Sequence, residues 1–352
     1  MKANPHPDVV RFMVGLVDGV DVASAGEMRR ALGCGADPAH MSFAGPGKRD
    51  EELLAAVAAG VLVNVESARE LPVLRQATVA SGRTARVALR LNPDFELKGS
   101  GMRMGGGAKP FGVDVAQAPA LLREMVLPAA PGAAGLHFEG FHLYAGSQSL
   151  QADALLEAQR LSLEWAERLA QQTGQPVTHL NLGGGLGIPY FPGDRHLDLN
   201  ALGQGMQALV QRAAHSLPQA TLALELGRYL VGEAGLYVAR VVDRKVSGGQ
   251  VFLVTDGGLH HHLAASGNFG QVIRKNYPVT VLPADPAAPL GELETSTVVG
   301  PLCTPLDLLA DRMRLPRAEV GDWVVVFQSG AYGATASPQA FLGHPPPVEI
   351  LV

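Results

Sequence analysis

Three short stretches place together residue types that could do chemistry. In "NLGGG", Gly183, Gly184 and Gly185 follow an apolar run. Residues without side chains let backbone N–H groups close around an anion, although a glycine turn has structural uses as well. In "LALELGRYL", Glu225 sits inside an apolar run, with Gly227 next but one and Arg228 three residues on. A carboxylate in such a setting is costly unless paired, so it calls for a ligand partner or an internal salt bridge, and the sequence leaves both open. The third stretch is the start, "MKANPHP", where Lys2 stands before any element could have formed. A lysine there is ordinarily a solvated charge; it is also an amine able to condense with an aldehyde.

An amine for a Schiff base, a cradle for a phosphate and a carboxylate to keep a ring nitrogen protonated are the requirements of pyridoxal phosphate. Further motifs extend the pattern: "KANPHP", "VDVASAGE", "HLYAGSQ", "NLGGG", "ELGRYLVGEAG", "TDGG", "GPLCTPLD" and "SGAYG" follow one another from the first residues to the C-terminal part. In this order they resemble the alanine-racemase-like class of pyridoxal-phosphate enzymes, and within it the ornithine/diaminopimelate decarboxylase family. The chain is similar, closer still, to the pyridoxal-dependent decarboxylases associated with exosortase and exopolysaccharide gene clusters.

The resemblance implies a decarboxylase with pyridoxal 5'-phosphate on Lys2 and with roles for residues that composition alone would leave unassigned. Asp21 of "VDVAS" falls where the family keeps an acid near the lysine, and otherwise reads as a strand-end cap. Ser147, Gly183, Gly184, Gly185, Gly227 and Arg228 would bind the phosphate, with Tyr332 of "GAYG" reaching it too. Glu225 would hold the pyridine nitrogen protonated, which makes the ring an electron sink once carbon dioxide leaves. Cys303 of "GPLC" matches the cysteine that helps protonate Cα from the neighbouring subunit, which implies a homodimer with shared active sites.

Departures from the family pattern bear on the substrate. Tyr144 stands where decarboxylases of basic amino acids stack a histidine on the ring, which keeps an aromatic face and removes the imidazole. Thr304 follows the cysteine where an acid is usual, and Asn268 falls near a second acid of the ornithine enzymes. Losing a carboxylate opposite an ammonium forfeits about 1.5–3 kcal/mol, so the far end of the amino-acid substrate is expected not to be a simple ammonium. In "GGLHHHLAASGNF", three adjacent histidines cannot converge on one metal, and His260 is expected to line the substrate pocket. His142, two residues before Tyr144, is either a pocket residue or a satisfied core histidine.

These residues need elements to position them. Apolar runs at 19–24, 40–46, 61–67, 86–93, 138–147, 177–185 and 221–228 read as strands. Helical patterns at 51–60, 116–126, 151–174 and 202–216 lie between them. Alternation of this kind predicts βαβ units and a parallel sheet, one strand short of a closed (β/α)8 TIM-type barrel. After about residue 235 the runs at 236–246, 249–258, 277–282, 294–302, 322–330 and 348–352 have few helical intervals. They predict a mainly antiparallel β-domain, with 282–292 a surface loop. The expected division is 1–233 for an α/β cofactor barrel and 234–352 for a β-domain completing the dimeric site. In the family several dozen residues precede the lysine, so an N-terminally short barrel with a frayed Lys2 is expected.

Bulk properties narrow the alternatives. A 352-residue chain that is 47% hydrophobic holds enough apolar material for two cores. Its formal charge of −5, without a Lys/Arg tract, speaks against nucleic acid as a partner. The sequence offers no membrane-spanning run and no signal pattern, so cytoplasm is the expected compartment. Cys34 and Cys303 are expected as reduced thiols, Cys34 buried. A racemase of the same barrel class and a non-catalytic regulatory homologue are the competing readings. Glu225 opposes the first, because such racemases face the ring nitrogen with an arginine. Retention of Lys2, Glu225, Arg228, Cys303 and Tyr332 opposes the second.

Overall fold

A computed structural model of the chain describes residues 1–127, 135–269, 271 and 274–352. It divides into two compact units, Met1–Gly187 with Leu197–Leu226, and Ile188–His196 with Gly227–Val352.

The first unit alternates as the sequence predicts. Its elements are α1 (Pro7–Val14), β1 (Val20–Val22), α2 (Ala25–Gly33), β2 (Met41–Phe43), α3 (Asp50–Ala59), β3 (Leu62–Val65), α4 (Glu70–Ser81) and β4 (Arg86–Asn92). They continue as β5 (Met102–Arg103), β6 (Val113–Asp114), α5 (Ala118–Val126), β7 (His137–Leu143), β8 (Gly146–Ser147), α6 (Ala152–Thr173), β9 (His179–Gly184), α7 (Leu199–Ser216) and β10 (Thr221–Glu225). The path β1-β2-β3-β4-β7-β9-β10 is hydrogen-bonded throughout. Every pair along it is parallel, as helical crossovers require.

Local chemistry fixes where these elements turn. Ser24 Oγ accepts from Glu27 N (3.1 Å) while Glu27 Oε2 accepts from Ala23 N (2.7 Å), a reciprocal cap that starts α2 directly after β1. Helices α3, α4 and α6 end at Gly60, Gly82 and Gly174, each left-handed. Phe43, Val63, Leu89, Phe141 and Leu180 are fully buried between the sheet and its helices.

The second unit adds α8 (Arg228–Val231), β11 (Tyr237–Ser247), β12 (Gln250–Thr255), β13 (Val279–Leu282), β14 (Leu293–Val299), β15 (Leu308–Pro316) and β16 (Trp323–Val326). Its sheet runs β13-β16-β11-β12-β14-β15, antiparallel except for β12 beside β14. Three differences from the sequence expectations follow. Residues 348–352 form no strand: prolines at 345–347 lead into a tail with Val348 86% and Ile350 78% exposed. Strand β15, in turn, escapes a reading by alternation. Asp311, Arg312 and Arg314 interrupt its apolar pattern, and Arg312 takes a left-handed φ of 44° where the pairing with β14 shifts. Strand β10 also ends at Glu225, so that Arg228 opens a helix instead of closing a strand. Among the described residues no helix is long and apolar enough to cross a membrane.

Candidate active site

Alternate residues of a strand share a face, and the parallel strands of the first unit use this to assemble a polar layer. Asp21 on β1 lies opposite Ser42 on β2; Arg90 on β4 lies opposite His142 on β7; His142 lies opposite Asn181 on β9. Asn64 on β3 and Glu225 at the end of β10 complete it. Contacts run through the layer. Ser42 Oγ donates to Asp21, and Asn64 Nδ2 donates to Ser42 Oγ at 3.3 Å. His142 Nε2 lies 2.7 Å from Glu225 Oε1, and Asn181 Nδ2 donates to the same oxygen at 2.8 Å. The second amide atom of Asn181, Oδ1, accepts from Gly183 N at 2.9 Å, tying the carboxylate to the glycine turn.

This layer polarises its two acids in opposite directions. Burial pushes Glu225 upward, but the charge and hydrogen bond of His142, the Arg90 guanidinium and Asn181 outweigh it and hold the carboxyl down at about 2. Asp21 is raised to about 6 by burial and then by the Glu225 charge. Asp21 on β1 and Glu225 on β10 thus act on each other electrostatically. The Met1 α-ammonium donates to Asp21 O at 3.3 Å and Asn4 N donates to Met1 O at 3.1 Å, so the opening residues make a turn beside β1. Lys2 is exposed on that turn.

The glycines have a conformational reason of their own. Gly183 (φ 73°) and Gly185 (φ 96°) are left-handed, and a Cβ built on Gly184 would overlap the Glu225 carbonyl oxygen. Tyr144 is half-buried after β7, and Ser147 lies in β8 opposite Met102.

Residues that sequence reasoning missed support this layer. Arg90 Nη1 donates to Glu66 Oε1 at 2.8 Å, and Glu66 also accepts from Gly45 N (2.6 Å) and Gly112 N (2.9 Å). Lys48, 1% exposed at its side chain, sits 3.1 Å from Glu70 and 4.0 Å from Glu66 and donates to Gly45 O and Asn64 O. Burial lowers the Lys48 amine and raises the Glu70 carboxyl, while Arg90 and Lys48 overcome the burial of Glu66 and lower it. The signal for Asn64, Arg90 and Asn181 was available: each is a polar residue inside an apolar run, the same anomaly that singles out Glu225.

In the second unit, Arg228 and Tyr332 come together, the guanidinium carbon 4.6 Å from the ring centroid. Asn268 and Thr304 share a partner: Asn268 Nδ2 donates to Leu306 O (3.1 Å), and Thr304 Oγ1 accepts from Leu306 N (3.3 Å). Cys303 is exposed and reduced, and Gly227 caps α8. His260 follows Leu259, whose N donates to Asp307 Oδ1 at 2.7 Å, and Asp307 Oδ2 accepts from Leu302 N at 2.9 Å, next to Cys303. His260 is wholly buried, its ring 3.9 Å from that of His261 and 5.4 Å from that of His344, and burial followed by those neighbours lowers it to about 4.

A pyridinium ring needs an anion that remains ionised yet reachable. Glu225 meets both conditions, held low by its neighbours with its side chain still 21% exposed. Parallel barrel strands crossed by a polar layer that ends on Glu225, followed by a β-domain, define a barrel enzyme suited to pyridoxal phosphate. Residues 1–232 match the family of pyridoxal-dependent decarboxylases through its pyridoxal binding domain, and the chain belongs to that family. It is a carboxy-lyase acting on amino-acid-type substrates. It is 38% identical to the L-glutamyl-[BtrI acyl-carrier protein] decarboxylase of Niallia circulans, over all of this chain and 81% of that one. The 2-[(L-alanin-3-ylcarbamoyl)methyl]-2-hydroxybutanedioate decarboxylase of Staphylococcus aureus is 30% identical over 99% of this chain and 85% of its own. Among solved structures, diaminopimelate decarboxylase from Helicobacter pylori complexed with L-lysine superposes with a TM-score of 0.82 at 27% identity, covering 96% of this chain and 80% of that chain.

Proposed function

We propose that the chain removes the α-carboxylate of an amino acid whose side chain is extended by a covalently attached, non-cationic group. It acts as a cytoplasmic homodimer of the exosortase-associated, exopolysaccharide-linked kind. The observation that carries the substrate assignment is the neutral pair Thr304 and Asn268, bound to one loop through Leu306. An ammonium at the far end of the substrate would find no carboxylate in that pair. The two relatives support this reading, since one is named for a glutamyl group on a carrier protein and the other for an alanine joined through a carbamoyl link.

Pyridoxal phosphate, when bound, supplies the electron sink for the charge left on Cα as carbon dioxide departs. The chain's own residues do the rest. Lys2 supplies the amine that holds the cofactor. Glu225 presents a fixed negative charge to the ring nitrogen, oriented by Asn181 and His142. Tyr144 covers one face of the ring, and Gly183–Gly185, Ser147, Gly227, Arg228 and Tyr332 bind the phosphate. Cys303 of a second copy delivers the proton to Cα.

Carbon dioxide release from a panel tests the assignment: free lysine, diaminopimelate and glutamate against glutamate amides and glutamyl thioesters of a carrier protein. Extended substrates are expected to exceed the free diamino acids by about tenfold or more in kcat/KM, the size of one lost charged contact. Preference for diaminopimelate or lysine would sink it.

A further inference from the structure

Arg228 is a half-buried cation whose electrostatic neighbours are tyrosines, with no ion pair to a carboxylate among the described residues. Aromatic residues hold it instead. Its Nη1 donates to the Tyr190 hydroxyl at 2.7 Å, and its guanidinium carbon lies 5.3 Å from the Tyr190 centroid and 4.6 Å from that of Tyr332. Tyr190 is 4% exposed and packs on Tyr277, also 4% exposed, with centroids 4.6 Å apart. The backbone around Tyr190 is fixed as well: Tyr190 N and Phe191 N both donate to Asp194 Oδ2 at 3.1 Å. Segment Ile188–His196 thus belongs to the compact unit that contains Arg228.

A guanidinium set against two rings and bonded to the Tyr190 hydroxyl is fixed in orientation, and a guanidinium so fixed can hold an anionic ester by paired hydrogen bonds. We propose that Tyr190 is a positioning residue. It sets the plane of Arg228 so that the guanidinium selects the phosphorylated cofactor over its dephosphorylated form. The proposal rests on the reading that Arg228 meets the cofactor phosphate.

Equilibrium dialysis of the full chain with pyridoxal phosphate and with pyridoxal tests it, each as an affinity ratio. Tyr190→Phe keeps the ring and removes the acceptor. It is expected to lower the preference for pyridoxal phosphate about tenfold while pyridoxal affinity stays unchanged. Arg228→Met serves as the reference and is expected to lower the preference further. If Arg228→Met leaves the preference intact, the phosphate reading itself fails. If it abolishes the preference and Tyr190→Phe does not move it, only the positioning role is overturned. Equal losses of both ligands in Tyr190→Phe mark a packing residue and overturn it too.

Discussion

The role proposed for Glu225 toward a pyridine nitrogen rests on three neighbours that hold it ionised at a partly open position: His142 at 2.7 Å, Asn181 at 2.8 Å, and the charge of Arg90. Glu225→Gln keeps the shape and removes the charge. It is expected to cut kcat by about 100-fold or more while weakening pyridoxal phosphate binding no more than about tenfold; equal losses in both would contradict the electron-sink role. Asp21 provides the pH test. Its folded pKa is raised from 3.8 to about 6, so between those values the folded chain binds more protons than the unfolded chain. Stability from this group is full below about pH 4 and is lost as pH rises through about 6. Glu225 acts in the opposite sense at lower pH, because its depressed pKa gives stability that is lost only as pH falls toward about 2. Asp21→Asn should therefore flatten the fall in urea midpoint between about pH 4 and about pH 7 relative to the parent chain, and superimposable profiles would refute the assignment.

Glu225 was legible in the sequence as a carboxylate inside an apolar run; Lys48, Glu66 and Glu70 were not. "AGPGKRDEEL" reads as a solvated charge run, and only the approach of loops from separate strands buries Lys48 between two acids. Tyr190 and Tyr277 were hidden for the same reason: 87 positions separate them in sequence, yet their rings touch.

Among the elements, strands announced by apolar runs between helices were read within a few residues, because a buried parallel strand has little else to be. Where charge and a backbone irregularity broke the pattern, as in β15, the element went unseen, and an apolar tail behind prolines was mistaken for a strand. Glycines sort by the same logic of close approach. Gly184→Ala drives a methyl into the Glu225 carbonyl and is expected to cost about 1–3 kcal/mol and loosen β9 from β10, whereas Gly33→Ala, at the end of α2 with open space around it, should stabilise by about 0.5–1 kcal/mol. Urea denaturation of the two variants checks this; equal effects would mean that the register of β9 and β10 does not depend on the missing side chain.

For the whole molecule, the parallel unit and the β-unit were foreseeable from the change of texture near residue 235, while the transfer of Ile188–His196 to the second unit was not. That segment looks like a barrel loop until its aromatic residues find Tyr277. The account depends on the second residue of the chain carrying the cofactor: the N-terminal turn sits beside Asp21, whose carboxyl senses Glu225. Borohydride reduction of the protein loaded with pyridoxal phosphate, followed by peptide mass spectrometry, tests this most directly. A phosphopyridoxyl group on Lys2 is the predicted result; the group on Lys48 or another lysine, with Lys2 unmodified, would contradict it.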